Sequence, residues 1–188
     1  MSRPPTGTRY ATQEFDPAFS FNIDQEPQWR VSYPEADDVF EITTEKPPLP
    51  DEFSALTFVR PQRVYSPDGQ DQITLGSDMR MTDAPDDMVT SLRNHPDLDA
   101  SRPVPVTVGG KAGVRLDVMV SPVPKDYSRD CFKGACVYML GYDDDNGLAL
   151  WADQKNRLIV LEALDGETVI IAVSDPAQGF AEFWPKAQ

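Results

Sequence analysis

The residues with reactive side chains are few and scattered. His95 is the only histidine in the 188-residue chain, so any mechanism that needs an imidazole must use it. Asp97 and Asp99 follow closely enough to orient its ring. No G-x-S-x-G turn supplies an activated serine, and both cysteines lie in a loop without an activating signature. His95-Pro96 also has a structural explanation, since the residue before a proline leaves the helical region and ends a helix. Two carboxylates stand in apolar strand sequence: Glu162 in Ile159-Val-Leu-Glu-Ala163, and Asp117 between Leu116 and Val118. Apolar surroundings raise a carboxyl pKa and suit it to acid–base work. Outward-facing acids on strands with one buried face produce the same pattern. His95, Glu162 and Asp117 are thus the candidates for catalysis, with no signature that selects among them.

Metal and redox chemistry have less to build on. Asp143-Asp144-Asp145-Asn146-Gly147 is the densest carboxylate cluster. It lacks the spaced D-x-D-x-D-G order and distal Glu of a calcium loop, whereas Asn-Gly between two β-type runs is a favoured hairpin turn. No metal and no cofactor is expected. Cys131 and Cys136 are the only cysteines. Their spacing is wrong for C-x-x-C, and two thiols cannot make a structural zinc site. With Gly134 between them they can close a disulfide, a short loop contributing only about 2 kcal/mol. Such a bond belongs to an oxidising compartment.

A binding role draws on different residues. Trp29, Phe58, Tyr138, Tyr142 and Trp151 can line an apolar pocket in a curved sheet, a common form of small-ligand site. Core packing accounts for the same residues.

The elements that must position these side chains are mostly short strands. Phe19-Ser-Phe21-Asn-Ile23 alternates apolar and polar residues, as a half-buried strand does. Tyr10–Phe15 precedes it across Asp16-Pro17, and Trp29–Tyr33, Val39–Thr43 and Phe53–Val59 follow. Val64–Ala84, rich in Asp, Gly, Ser and Gln, reads as a long loop with one edge strand at Gln72–Leu75, and is the first place to look for a site. A helix is predicted over Pro85–Asn94, capped by Asp83 and stopped by His95-Pro96. Gly109-Gly110 and Asp165-Gly166 mark two hairpins, the second joining Arg157–Leu164 to Thr168–Val173, with Leu148–Trp151 pairing on its other side. A second helix is predicted from Asp175 as N-cap and Pro176, burying Phe180, Phe183 and Trp184. The sum is about ten strands and two helices. The expected fold class is α+β: a mostly antiparallel, curved, barrel-like sheet with two flanking helices, in a single domain over residues 9–188 behind a disordered leader at residues 1–8.

Composition limits the partners. Hydrophobic residues make up 40% of the chain, with 18 prolines, and 17 basic side chains face 31 acidic ones for a net charge of −14. That charge repels phosphate backbones and anionic lipid, so no nucleic acid is expected. No apolar run approaches the ~20 residues of a membrane span. Met1–Pro5 lacks the apolar segment of a signal peptide, which fits either a cytosolic chain or a mature secreted domain whose precursor has lost its signal.

Several stretches taken together resemble a family. They are Phe15-Asp-Pro-Ala-Phe-Ser-Phe21, Trp29-Arg-Val31, Val106-Thr-Val-Gly-Gly110 with Gly113-Val-Arg-Leu-Asp117, and Arg157-Leu-Ile-Val-Leu-Glu162 with Thr168–Val173. They look like exported, often lipoprotein-anchored domains of actinobacteria and related bacteria, and more distantly like PsbP/Mog1-like proteins. Pro27-Gln28 stands where that pattern has Gly before the Trp. The resemblance implies an antiparallel sheet flanked by helices and an extracytoplasmic, secreted or lipid-anchored location, and it brings no catalytic residue. The functional expectation is a non-enzymatic binding or interaction domain for a small apolar molecule or a protein partner. The alternative is a small enzyme or carrier with an apolar pocket, using a carboxylate such as Glu162.

Overall fold

The computed structural model describes residues 8–23, 29–31, 36–44, 54–66, 81–121, 136–141, 147–152, 154–164 and 166–176. Its centre is an eight-stranded antiparallel sheet. The strands β3 (Trp29–Val31), β4 (Val39–Thr44), β5 (Ala55–Val59), β14 (Glu167–Pro176), β13 (Gln154–Leu164), β10 (Lys111–Val120) and β8 (Leu98–Ala100) lie side by side in that order. The long β10 carries β9 (Val104–Val108) and β8 on the same edge, one after the other: Arg115 pairs with Val104, and Val118 with Ala100.

The central strands alternate between two cores. In β14, Val169, Ile171 and Val173 point to one face, and Ile170 and Ala172 to the other; in β13, Ile159 and Leu161 oppose Leu158 and Val160. Both faces are therefore buried, which is why these runs are nearly continuous in apolar residues.

One face is covered by the hairpin β1 (Thr8–Ala11) and β2 (Ser20–Ile23), paired from Thr8↔Ile23 to Ala11↔Ser20. Thr12 closes it, its hydroxyl accepting the Phe19 N–H at 2.9 Å. Phe19 and Phe21 then pack at a tilt against Phe58, with ring centroids 4.5 and 5.0 Å apart. Tyr10 Oη donates to the Trp29 carbonyl at 3.0 Å and ties this hairpin to the sheet edge.

The other face is covered by a four-stranded sheet in the order β12 (Gly147–Trp151), β11 (Cys136–Gly141), β6 (Arg63–Tyr65), β7 (Met81–Asp83), and by helix α1 (Met88–Asn94). Val137, Leu140 and Leu150 of the small sheet and Met88 and Leu92 of the helix join Leu116, Leu158 and Ile170 in one core.

Local chemistry explains the sharp turns. Gly109 and Gly110 have φ of +57° and +80°, the type I′ geometry that residues with a Cβ resist. Asp87 caps α1, its Oδ1 accepting the Thr90 N–H at 2.8 Å. His95, the residue before Pro96, turns extended at φ −66°, ψ 124° and ends the helix.

Several expectations need correction. The sheet is open among the described residues, with β3 at one edge and β8 and β9 at the other, rather than barrel-like. One helix, not two flanking ones, is present among them. Asp175 and Pro176, a good helix start by sequence, instead extend β14, paired with Lys155 and Gln154, because the β13–β14 ladder outlasts the local capping signal. Residues 177–188 lie outside the described residues. The helix that does form starts at Met88 with Asp87 as its cap, not at Pro85 with Asp83, since Asp83 is held in β7 against Arg63. Finally, β12 pairs with β11 in the small sheet rather than beside the β13–β14 hairpin. Thr8, placed in the leader, already pairs in β1. The 64–84 loop has strands at both ends, Val64 pairing with Thr82, and its expected strand at Gln72–Leu75 lies outside the described residues. No helix among them is long and apolar enough to cross a membrane.

Candidate functional site

A cleft of about 350 Å³ opens where α1 meets the β6–β7 end of the small sheet. Met88 and Leu92, one helical turn apart, place two apolar side chains in it, as residues i and i+4 must share a helix face. Met139 and Leu140 of β11 and Val64 of β6 complete an apolar floor. Tyr65 is buried at 2% exposure and faces Tyr138 with ring centroids 5.4 Å apart. Gly147 makes room for that ring: a Cβ there would lie 2.7 Å from Tyr65 Oη and 2.5 Å from the Leu140 carbonyl. The rim is polar, with Ser66, Thr82 and Asp83 on one side and Ser91, Asn94 and His95 on the other.

His95 is buried at 9% exposure. Its Nδ1 accepts the Asp97 N–H at 3.2 Å, so the neutral ring carries its proton on Nε2. The turn that follows supplies this contact, with the Leu98 N–H donating to the His95 carbonyl at 3.2 Å. Asp97 thus acts on the imidazole through its backbone, and Asp99 lies in β8.

The other candidates fall elsewhere. Asp117 lies on the opposite face of the central sheet, opposite Arg157 in the β10–β13 ladder. Arg157 Nε and Nη2 bond both of its oxygens, the second at 2.9 Å. A carboxylate gripped through both oxygens has a structural partner for its charge. Glu162 belongs to β13, but its side chain lies outside the described residues.

Of the five aromatic residues chosen from sequence, the four described are not gathered. Trp29 and Phe58 are buried in the aromatic core, Tyr138 and Trp151 belong to the small sheet, and Tyr142 lies outside the described residues. Sequence reasoning missed Tyr65, Met88, Met139 and Ser91 as neighbours. Only the contents of the 64–84 segment and the sole histidine pointed toward this corner. Cys136 is buried and carries no free thiol, whereas Cys131 lies outside the described residues, as do Asp143, Asp144 and Asp145. Among the described residues no group of three or more His, Cys, Asp or Glu side chains could hold a metal ion.

No protein-family model matches this sequence, and no curated protein matches it. Among solved structures, the chain is similar to LpqN of Mycobacterium tuberculosis, described as involved in cell envelope biogenesis, at 13% identity and a TM-score of 0.39. The match covers 96% of this chain and 85% of that one. A likeness at that score carries no argument for this chain, and the PsbP/Mog1-like resemblance has no support in these comparisons.

Proposed function

We propose that this chain is a non-catalytic, extracytoplasmic binding domain whose cleft beside α1 receives a small, mostly apolar molecule. The cleft carries the reading. Its volume of about 350 Å³ lies within the roughly 300–1,000 Å³ of ordinary ligand sites, and an apolar floor under a rim of a few polar groups is the usual plan of such a site. A catalytic reading lacks the matching feature, because Asp117 is bound by Arg157 on the far side of the sheet.

N-phenyl-1-naphthylamine, a neutral fluorescent probe, tests the reading. It should bind saturably with 1:1 stoichiometry to the wild type. Ser91→Trp, which fills the rim from the helix side, should abolish binding without unfolding the chain. A wild type that leaves the probe dark, or a Ser91→Trp variant that binds it equally well, refutes the cleft as the site.

The extracytoplasmic location is supported by Cys136, a buried cysteine with no free thiol, since disulfides persist in oxidising compartments. Intact mass before and after reduction should differ by the two hydrogens of a Cys131–Cys136 bond. Two alkylatable thiols in unreduced protein would remove that support.

A further inference from the structure

A single carboxylate sets the charge of the cleft. Among the described residues the lining holds no lysine or arginine, and Asp83 is its one acid. The Asp83 side chain makes no hydrogen bond and no ion pair among the described residues. Arg63 stands opposite it in the β6–β7 ladder, yet no ion pair joins the two, and Arg63 is not part of the lining. The cleft therefore meets the carboxylate and not the guanidinium.

The surroundings add to that sign. Pro85, also in the lining, leads into Asp86 and Asp87 at the start of α1, and the whole chain carries a net charge of −14. A field of that sign raises the local concentration of cations and lowers that of anions. Ser66, Thr82, Ser91 and Asn94, also on the rim, carry no charge of their own.

Apolar surface and charge are arranged in depth. Val64, Met88, Leu92, Met139 and Leu140 form the floor, whereas Asp83 is exposed at the mouth. An ion held at the mouth keeps much of its water, so it escapes the desolvation cost that burial imposes. A molecule with an apolar body and one positive head matches both levels at once.

Resting on the ligand cleft proposed above, we infer that its occupant is an amphipathic monocation, an apolar body carrying one amine or quaternary ammonium group, with that head against Asp83. The floor takes up the body, and the carboxylate fixes which end faces out and turns away anions of the same shape.

Three naphthalenes of one shape and different charge test this: trimethyl(2-naphthylmethyl)ammonium, its carbon isostere 2-neopentylnaphthalene, and 2-naphthylmethanesulfonate. Above the titration range of histidine and at low ionic strength, the ammonium should bind about 2- to 5-fold more tightly than the hydrocarbon, the range for an exposed ion pair. The sulfonate should bind most weakly, and high salt should close both gaps. Asp83→Asn should erase the ammonium's advantage, whereas Asp117→Asn, which removes one charge from the other face of the sheet, should preserve it. In the wild type, nuclear Overhauser contacts should join the ammonium methyls to the Asp83 β-protons, which decides the matter if Asp83→Asn does not fold. Equal binding of ammonium and hydrocarbon, an advantage that survives Asp83→Asn, or absence of those contacts overturns the ligand class while leaving the cleft a binding site. Failure of all three to bind also overturns the class, and failure of N-phenyl-1-naphthylamine alongside them overturns the cleft as well.

Discussion

The two faces of the central sheet are built from different materials and are closed to different degrees. One carries Phe40, Phe58 and Trp29 and is sealed by the β1–β2 hairpin, whose Phe15, Phe19 and Phe21 pack into the same core. The other carries aliphatic residues, and its cover is the β12-β11-β6-β7 sheet with a seven-residue helix, whose β6 and β7 end is built of three-residue strands. Large rings interlock over a wide area and leave few gaps, whereas short elements meet at corners. The cleft lies at one such corner. On the reading proposed above, ligand access belongs to the aliphatic side, and binding sites generally occur where local structure is less tightly held.

That contrast breaks most visibly on the aromatic side. Phe58 is 7% exposed and packs against three other rings. Phe58→Ala should destabilise the fold by about 3–5 kcal/mol, the range for emptying a buried aromatic site, as measured by urea unfolding. Probe affinity in the cleft should stay unchanged wherever the variant remains folded. If affinity falls in step with stability, the two faces are coupled and the division of labour is wrong.

The same contrast shows which parts of the molecule were legible in the sequence. Gly109-Gly110 and Asp165-Gly166 announced their hairpins, because positive φ is a local property and glycine meets it locally. The alternation in Phe19–Ile23 marked β2 for a similar reason. Pairing between distant segments had no such signal. Nothing near Ala55–Val59 says that it will lie against β14, more than a hundred residues away. The same limit hid the cleft, whose walls come from β6, β7, α1 and β11. It also explains the aromatic residues: their types suit burial or ligand contact, but the face each occupies depends on strand order. Asp175-Pro176 shows local chemistry overridden, a good helix start drawn into β14 by its ladder with Gln154 and Lys155. Buried Asn156 could not be foreseen as a core residue; it is held there by the Ser174 hydroxyl, which donates to its Oδ1 at 2.7 Å.

A smaller effect is expected from the ion pair on the aromatic side. Arg157 has only 10% of its side chain exposed, while Asp117 has 44%. Asp117→Asn removes the charge from a two-point contact to a largely buried guanidinium. Charge-assisted hydrogen bonds contribute about 1.5–3 kcal/mol, and discounting for the exposure of Asp117 leaves a loss of about 1–2 kcal/mol. Salt should narrow the gap between the two proteins by weakening the wild-type pair. Cleft binding should again be indifferent. A change in probe affinity would mean that Asp117 acts through the sheet on the other face.

The smallest effect lies on the cleft side, where α1 begins. Asp87 is fully exposed, and its carboxyl is held below the ordinary value of 3.8 by hydrogen bonds from Thr90, first the backbone N–H and then the side chain. A depressed carboxylate pKa means that the charged form is favoured in the folded state. Its contribution to stability is therefore present above pH 3.8 and is lost as pH falls through the folded pKa. The substitution Asp87→Asn would keep an N-capping oxygen but lose the charge. The wild type should protect the Thr90 amide from hydrogen exchange better than Asp87→Asn at neutral pH, and that advantage should shrink once pH drops below 3.8. Probe binding should follow the same course weakly, because Ser91 and Leu92 lie on the turn that Asp87 caps. An advantage that persists unchanged at low pH would show that the cap works through geometry alone, and that the cleft wall owes nothing to the charge at its base.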